Sequence, residues 1–283
     1  MSLFSPFAFI KQEVVAPAPS FDPDAQAFFT AIDNDGGSLT SDEKDAVNQL
    51  VLDLKAGDAW DTLVAAYPFV GATVTEHKYN LKDPQDTDAA YRITFDSSSG
   101  SPFTFSTATG AVPPSPNNNA FGNTHLNLSA SLASGEMVGN HLAFYTTNDK
   151  TKAGYDMGAF DGSKEYALIA AYGNTTTYYQ VGSGFITGNN LGRTGFFIGN
   201  NSGSISTLYQ NASVRSGPTG KSVVASNASL FLFDESLNDA SRGGQNTERN
   251  MMWASIGSGM TSASLDAYYD AVVDYQTTLG RNV

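Results

Sequence analysis

The rhythm of apolar and polar positions along the chain changes three times. Between residues 21 and 70 apolar side chains recur at helical spacing. Val47, Leu50, Val51 and Leu54 fall at i, i+3, i+4 and i+7, which is the buried stripe of an amphipathic helix. Thr40 and Glu43 supply a T-x-x-E capping box ahead of it, and Gly57 ends it. Upstream, Asp22 and Pro23 make a favoured helix start, and Ala25, Phe28, Phe29 and Ile32 share one face. A short third helix is expected to carry Trp60, Leu63 and Val64 and to stop before Pro68.

From 73 to 260 the rhythm shortens. Runs such as HKYNL, YRITF, FTFST, HLAFYTT, YALIAAY, TYYQV, GFFIGN, SISTLYQ and SLFLFDE are separated by clusters of Gly, Asn, Ser and Pro. Short strands with turn signals at this spacing predict a mainly β chain built as a sandwich or jelly roll. From 261 to 283 helical spacing returns through Leu265, Tyr268, Tyr269, Val272 and Leu279, with Thr261 or Ser262 as cap and Gly280 as terminator. This helix is expected to lie on the sandwich or on the N-terminal helices.

Ahead of all this, residues 1–20 read as an extended arm. Phe4, Phe7, Phe9 and Ile10 crowd its first half, and the Ala/Pro stretch 16–19 makes a stiff spacer. The expected organisation is therefore an arm (1–20), a small helical module (21–72), a β-sandwich (73–260) and a C-terminal helix (261–283).

Composition narrows the function. The net charge is −13 and no run of Lys and Arg opposes it, which argues against nucleic acid and anionic membrane surfaces as partners. There is no cysteine, so disulfides and thiolate metal sites are excluded. No stretch has the ~18 apolar residues of a membrane-spanning helix, and the opening lacks the basic and continuous apolar regions of a secretory signal.

Candidate chemistry is sparse. DNDGGSLTSDEK at 33–44 imitates an EF-hand loop, with Asp33 and Asp35 at the first and third ligand positions. Lys44 stands where a bidentate Glu is needed, so the reading is a turn feeding a helix. His77, His125 and His141 lack metal-ligand spacing. In FDES, Asp234 and Glu235 are expected on opposite strand faces, and paired carboxylates of the glycosidase type are not evident. No catalytic residue, metal or cofactor is assigned, and the chain reads as non-enzymatic. The remaining signal is aromatic. Tyr155, Tyr172, Tyr178, Tyr179 and Trp253 offer flat faces for sugar rings, and Asn189, Asn190 and Arg193 offer hydrogen bonds. The glycan-binding candidates are Tyr155, Tyr178, Tyr179, Asn189, Asn190 and Arg193.

Two sets of residues carry a resemblance. STLYQNASVRSGPTG followed by SLFLFDES resembles a hairpin of the laminin-G or concanavalin-A-like sandwich, with Ala212 in place of the usual Gly, which implies a wider hairpin here. The stretches AFFTAIDNDGGSLTSDEKDAVNQLVLDLKAGDAWDTLVAAYPFVG, HKYNLKDPQDTDAAYRITF and WASIGSGMTSASLDAYYDAVVDYQTTLGR resemble virion proteins of tailed bacteriophages. Together these resemblances cover roughly half the chain. They imply a concanavalin-A-like jelly roll in a non-enzymatic fibre or decoration protein of a phage head or tail, located in the virion and displayed outward. The implied partners are other capsid or tail proteins, further copies of the chain, and host-surface polysaccharide. A bacterial carbohydrate-binding module or adhesin is the alternative.

In that setting the arm is expected to dock on the particle. Burying Phe4, Phe7, Phe9 and Ile10 contributes about 1.5–3 kcal/mol each, against roughly 1–2 kcal/mol for ordering each residue. One arm binds weakly, and several arms of an oligomer bind by avidity. The competing expectation packs the arm on the helices of its own chain.

Overall fold

A computed structural model describes residues 20–97, 101–116, 119–172, 175–181, 184–189, 191–221, 223, 226–241 and 245–282. The docking candidates Phe4, Phe7, Phe9 and Ile10 lie outside the described residues. In chain order the helices are α1 (Pro23–Asn34), α2 (Ser41–Ala56), α3 (Val74–Lys78), α4 (Leu128–Ser134) and α5 (Ser262–Thr278). The strands are β1 (Leu63–Tyr67), β2 (Thr94–Asp96), β3 (Thr104–Ser106), β4 (Gly110–Val112), β5 (Phe121–Asn127), β6 (Asn140–Thr146), β7 (Met157–Phe160), β8 (Glu165–Tyr172), β9 (Thr176–Val181), β10 (Phe185–Asn189), β11 (Gly195–Ser202), β12 (Ile205–Gln210), β13 (Ser213–Gly220), β14 (Ser229–Leu232), β15 (Glu235–Leu237), β16 (Ala240–Ser241) and β17 (Trp253–Gly257).

Two large sheets stack as a sandwich of the expected jelly-roll type. One runs β1-β17-β6-β11-β12-β13, and the other runs β10-β9-β8-β7-β14-β5-β2 with β15 and β16 attached. All pairings among the described strands are antiparallel except β15 with β7. Helices α1, α2 and α5 cover the outer face of the first sheet, so the molecule has three layers. Strand β6 shows why. Leu142 and Phe144 point into the core between the sheets with Phe197, Leu168 and Tyr179. Ala143 and Tyr145 point the other way and pack with Phe196, Trp253, Val51 and Tyr268 under the helices. A strand covered on both faces has no reason to alternate, and HLAFYT accordingly reads as a nearly continuous apolar run.

The helix starts follow their caps. The Asp24 N–H donates to Asp22 Oδ1 at 3.0 Å, and the Thr40 N–H donates to Glu43 Oε2 at 2.7 Å. Lys44 reaches back to Asp33 Oδ2 at 3.4 Å, so an ammonium group occupies the neighbourhood a calcium ion would need. The C-terminal helix α5 packs on α2 and on the sheet, and Gly280 follows it at φ +68°.

Three expectations are corrected. The third helix is a single 3-10 turn, Trp60–Thr62, and Leu63 and Val64 begin strand β1. Leu63 and Ala66 are needed by one core and Ala65 and Tyr67 by the other, and this burial on two faces overrides both the helical spacing and the helix preference of the two alanines. The helical stretch therefore donates an edge strand to the sandwich rather than standing apart. HKYNL is not a strand: Thr73 and Glu76 form a second capping box that starts α3. The β12–β13 hairpin is tight, not wide, for Gln210 pairs with Ser213 across only Asn211 and Ala212, both at positive φ (48° and 58°).

Candidate carbohydrate platform

The outer face of the second sheet is the side away from α1, α2 and α5. Strand alternation decides which side chains reach it. In β9, Thr177, Tyr179 and Val181 are buried, and Thr176, Tyr178 and Gln180 are turned outward. In β10 the outward residues are Phe185, Thr187 and Asn189. Register places Tyr178 opposite Ile169 of β8 on one side and opposite Thr187 of β10 on the other.

Aromatic side chains gather there. Tyr172 and Tyr178 meet edge to face with centroids 4.9 Å apart, and Tyr178 and Phe185 meet at 5.5 Å. These diagonal neighbours on adjacent strands make a row of three rings across β8, β9 and β10. Tyr172 and Phe185 are 52% and 55% exposed, and their contact through Tyr178 makes the exposed apolar surface continuous. Beneath the row, Tyr155, Ala167 and Ile169 form a small buried cluster on which Tyr178 rests. The Tyr155 hydroxyl donates to Glu165 Oε1 at 2.7 Å, fixing a carboxylate on this face.

The sequence candidates thus divide. Tyr155, Tyr172 and Tyr178 come together, with Tyr155 as support because it is only 8% exposed. Tyr179 does not join them. Adjacent strand residues face opposite ways, so Tyr179 lies wholly inside the sandwich, where its hydroxyl donates to Asn140 Oδ1 at 2.6 Å and burial pushes its pKa well up. Trp253 is likewise buried and donates to the Tyr268 hydroxyl at 2.7 Å. Arg193 is tied to Asp149 at 2.7 Å instead of reaching toward the rings. Asn189 ends β10 and its carbonyl accepts from Arg215 Nε at 2.8 Å. Asn190 lies outside the described residues.

Sequence reasoning missed Phe185 and Arg215. Phe185 opens GFITGN, where Phe, Thr and Asn alternate with Ile and Gly, a half-buried strand pattern with its ring on the solvent side. Arg215 had no local signal, because strand β13 meets β10 only through the closing of the sandwich edges.

The histidines are separate. His77 contacts Gly71, His125 contacts Thr94, and His141 contacts Ser258 and Ser255. No cluster of metal-ligating side chains occurs among the described residues, and among them no helix is long and apolar enough to cross a membrane.

No protein-family model matches the chain, and no curated protein sequence matches it. Three solved structures are among those the chain resembles in fold. Domain 4 of AbnA, a GH43 extracellular arabinanase from Geobacillus stearothermophilus solved with arabinotriose, has a TM-score of 0.47 and 14% identity, covering 75% of this chain and 98% of that one. Trypanosoma rangeli sialidase has a TM-score of 0.47 and 6% identity, covering 80% of this chain and 39% of that one. The binding domain of botulinum neurotoxin DC, in complex with SialylT, has a TM-score of 0.39 and 9% identity, covering 75% of this chain and 52% of that one.

Proposed function

We propose that this protein is a non-enzymatic carbohydrate-binding protein that uses the row of Tyr172, Tyr178 and Phe185 as its binding platform. The observation that carries the proposal is the row itself: three rings in contact on one sheet face, two of them about half exposed. Pyranose and furanose rings have apolar C–H faces. An aromatic side chain accepts such a face by dispersion and area burial, and a Tyr hydroxyl keeps a polar handle at its edge. The rings stand on paired strands, so little conformational entropy is lost when a ligand arrives. Glu165 already holds the Tyr155 hydroxyl, which suits support rather than acid–base work.

The setting we propose is a phage particle, with the sandwich displayed outward and the arm holding the protein to capsid or tail. Its support is the resemblance of the front and closing stretches to tailed-phage virion proteins. Two experiments test the two parts. Phe185→Ala is expected to weaken binding on a glycan array at least tenfold with an unchanged thermal midpoint, and Tyr178→Ala to weaken it as much while lowering the midpoint, because it uncovers Ala167 and Ile169. Immunogold labelling of purified particles is expected to mark heads or tails. Gold on no particle would remove the virion setting and favour a free adhesin, leaving the platform to be judged by the array.

A further inference from the structure

We infer that the platform takes an acidic polysaccharide, whose carboxylate or sulfate groups meet Lys221 and Arg215 while its sugar faces lie on the rings. This rests on the carbohydrate reading above and adds the ligand class.

The charge is segregated along the chain and through the fold. The protein holds 28 acidic residues and carries a net charge of −13, yet residues 166–233 contain no Asp or Glu at all. That stretch supplies β9 to β14 and all of β8 but its first residue, including every ring of the platform; the first residue, Glu165, is a carboxylate on this face, and it is held by the Tyr155 hydroxyl. Its charged residues are Arg193, Arg215 and Lys221. Arg193 is neutralised by Asp149, whereas Lys221 and Arg215 have no carboxylate partner among the described residues.

Both free cations flank β10. Lys221 lies over Gly184, where an added Cβ would come within 2.9 Å of Nζ, so the ammonium group stands beside the Phe185 end of the strand. Arg215 grips the Asn189 carbonyl at the other end with Nε and a terminal nitrogen. A five-residue strand is about 13 Å from end to end. The rim of the platform therefore carries two positive charges spaced along the edge on which the rings stop.

The acidic helices do not cancel this locally. The carboxylates of α1, α2 and α5 lie on the far side of the first sheet, two layers or roughly 20 Å away. The screening length at physiological salt is about 8 Å. A polyanion at the platform thus senses Lys221 and Arg215 more than the helical face, and the helical face repels it from the wrong side. Five exposed large apolar side chains, Tyr172, Phe185, Leu191, Ile205 and Val214, come from the acid-free stretch, and three, Leu52, Val74 and Val138, come from outside it.

The test is biolayer interferometry of the full chain on immobilised polygalacturonate, dextran sulfate and unmodified dextran. The expected result is binding to one or both acidic polymers, with at least tenfold weaker affinity when ionic strength rises from about 0.05 to about 0.5 M. Lys221→Glu is expected to lower that affinity at least tenfold with an unchanged thermal midpoint, and Phe185→Ala to lower binding in the same assay. Salt-insensitive binding to dextran, lost in Phe185→Ala, would overturn the acidic class and leave the platform standing. Binding untouched by Tyr178→Ala and Phe185→Ala would overturn the platform itself. Binding to none of the polymers would overturn the proposal.

Discussion

Arg249 and Asp156 form a bidentate ion pair, Nε to Oδ1 at 2.8 Å and a terminal nitrogen to Oδ2 at 2.9 Å, with both side chains wholly buried. The remaining guanidinium donors reach the carbonyls of Lys150, Lys152 and Gly154, and Asp156 Oδ2 also accepts the Ala170 N–H at 2.7 Å. One charged pair thus fastens the loop before β7, the start of β7 and strand β8, next in sequence to Tyr155 beneath the platform. Removing one partner leaves a buried charge uncompensated, which costs about 3–5 kcal/mol. Arg249→Met is expected to lower the urea midpoint by that equivalent. Asp156→Asn is expected to do less damage than Asp156→Ala, because it keeps an acceptor for the Ala170 N–H.

Stability should fall in mild acid through two histidines. Burial lowers the pKa of His77 and of His141 from 6.5 to about 4. His141 sits at the end of a directed chain. The Trp253 indole donates to the Tyr268 hydroxyl, which leaves that hydroxyl to donate to Ser255 and Ser255 to donate to His141 Nε2. His141 Nδ1–H then donates to the Ser258 carbonyl at 2.8 Å. A second proton on the ring would break the chain. The unfolded chain binds these protons more readily than the fold does, so the contribution is intact above about pH 6.5 and is lost as pH falls toward 4. Each ring accounts for roughly 3 kcal/mol over that window. Urea midpoints measured between pH 7.5 and 4.5 check this. His77→Phe, placed among Phe69 and Phe105, should halve the slope, whereas an unchanged slope would remove His77 as a cause.

Ala212 is held at φ +58° in the two-residue turn between β12 and β13. The turn is fixed from outside, because Asn211 exchanges hydrogen bonds with Phe196 through its N–H and through its side-chain oxygen. An L side chain in the left-handed region costs about 1 kcal/mol that glycine avoids. Ala212→Gly is therefore expected to stabilise the protein by roughly 0.5–1 kcal/mol despite the freer unfolded chain. A raised thermal midpoint is the result to look for.

What the sequence discloses follows the range of the forces involved. Caps and helical stripes act over three or four residues, so Asp22, Thr40, Thr261 and the Val47–Leu54 stripe could be placed directly. The β runs gave the fold class for the same reason. Leu63–Tyr67 misled because a five-residue strand serving two cores carries no clean period. The platform was half legible: aromatic residues identified Tyr172 and Tyr178, and alternation within β9 should have excluded Tyr179 at once. Arg215 was out of reach, since its place beside Asn189 depends on how two sheet edges meet, 26 residues apart in sequence.

The Tyr179 ring makes its own prediction with Gly199. The two residues face each other across the sandwich from β9 and β11, and a Cβ on Gly199 would fall 2.2 Å from the ring. Tyr179 cannot swing away, because it is wholly buried and its hydroxyl is bonded to Asn140. Gly199→Ala is expected to cost about 1–3 kcal/mol by overpacking. Tyr179→Leu alone opens a cavity and leaves Asn140 without its donor, and is expected to cost about 2–4 kcal/mol. The double variant returns volume where the ring has shrunk. Its loss is therefore expected to be smaller than the sum of the two, with a coupling of about 1 kcal/mol in a double-mutant cycle. Strict additivity in urea unfolding would mean that the ring and the glycine do not meet as described.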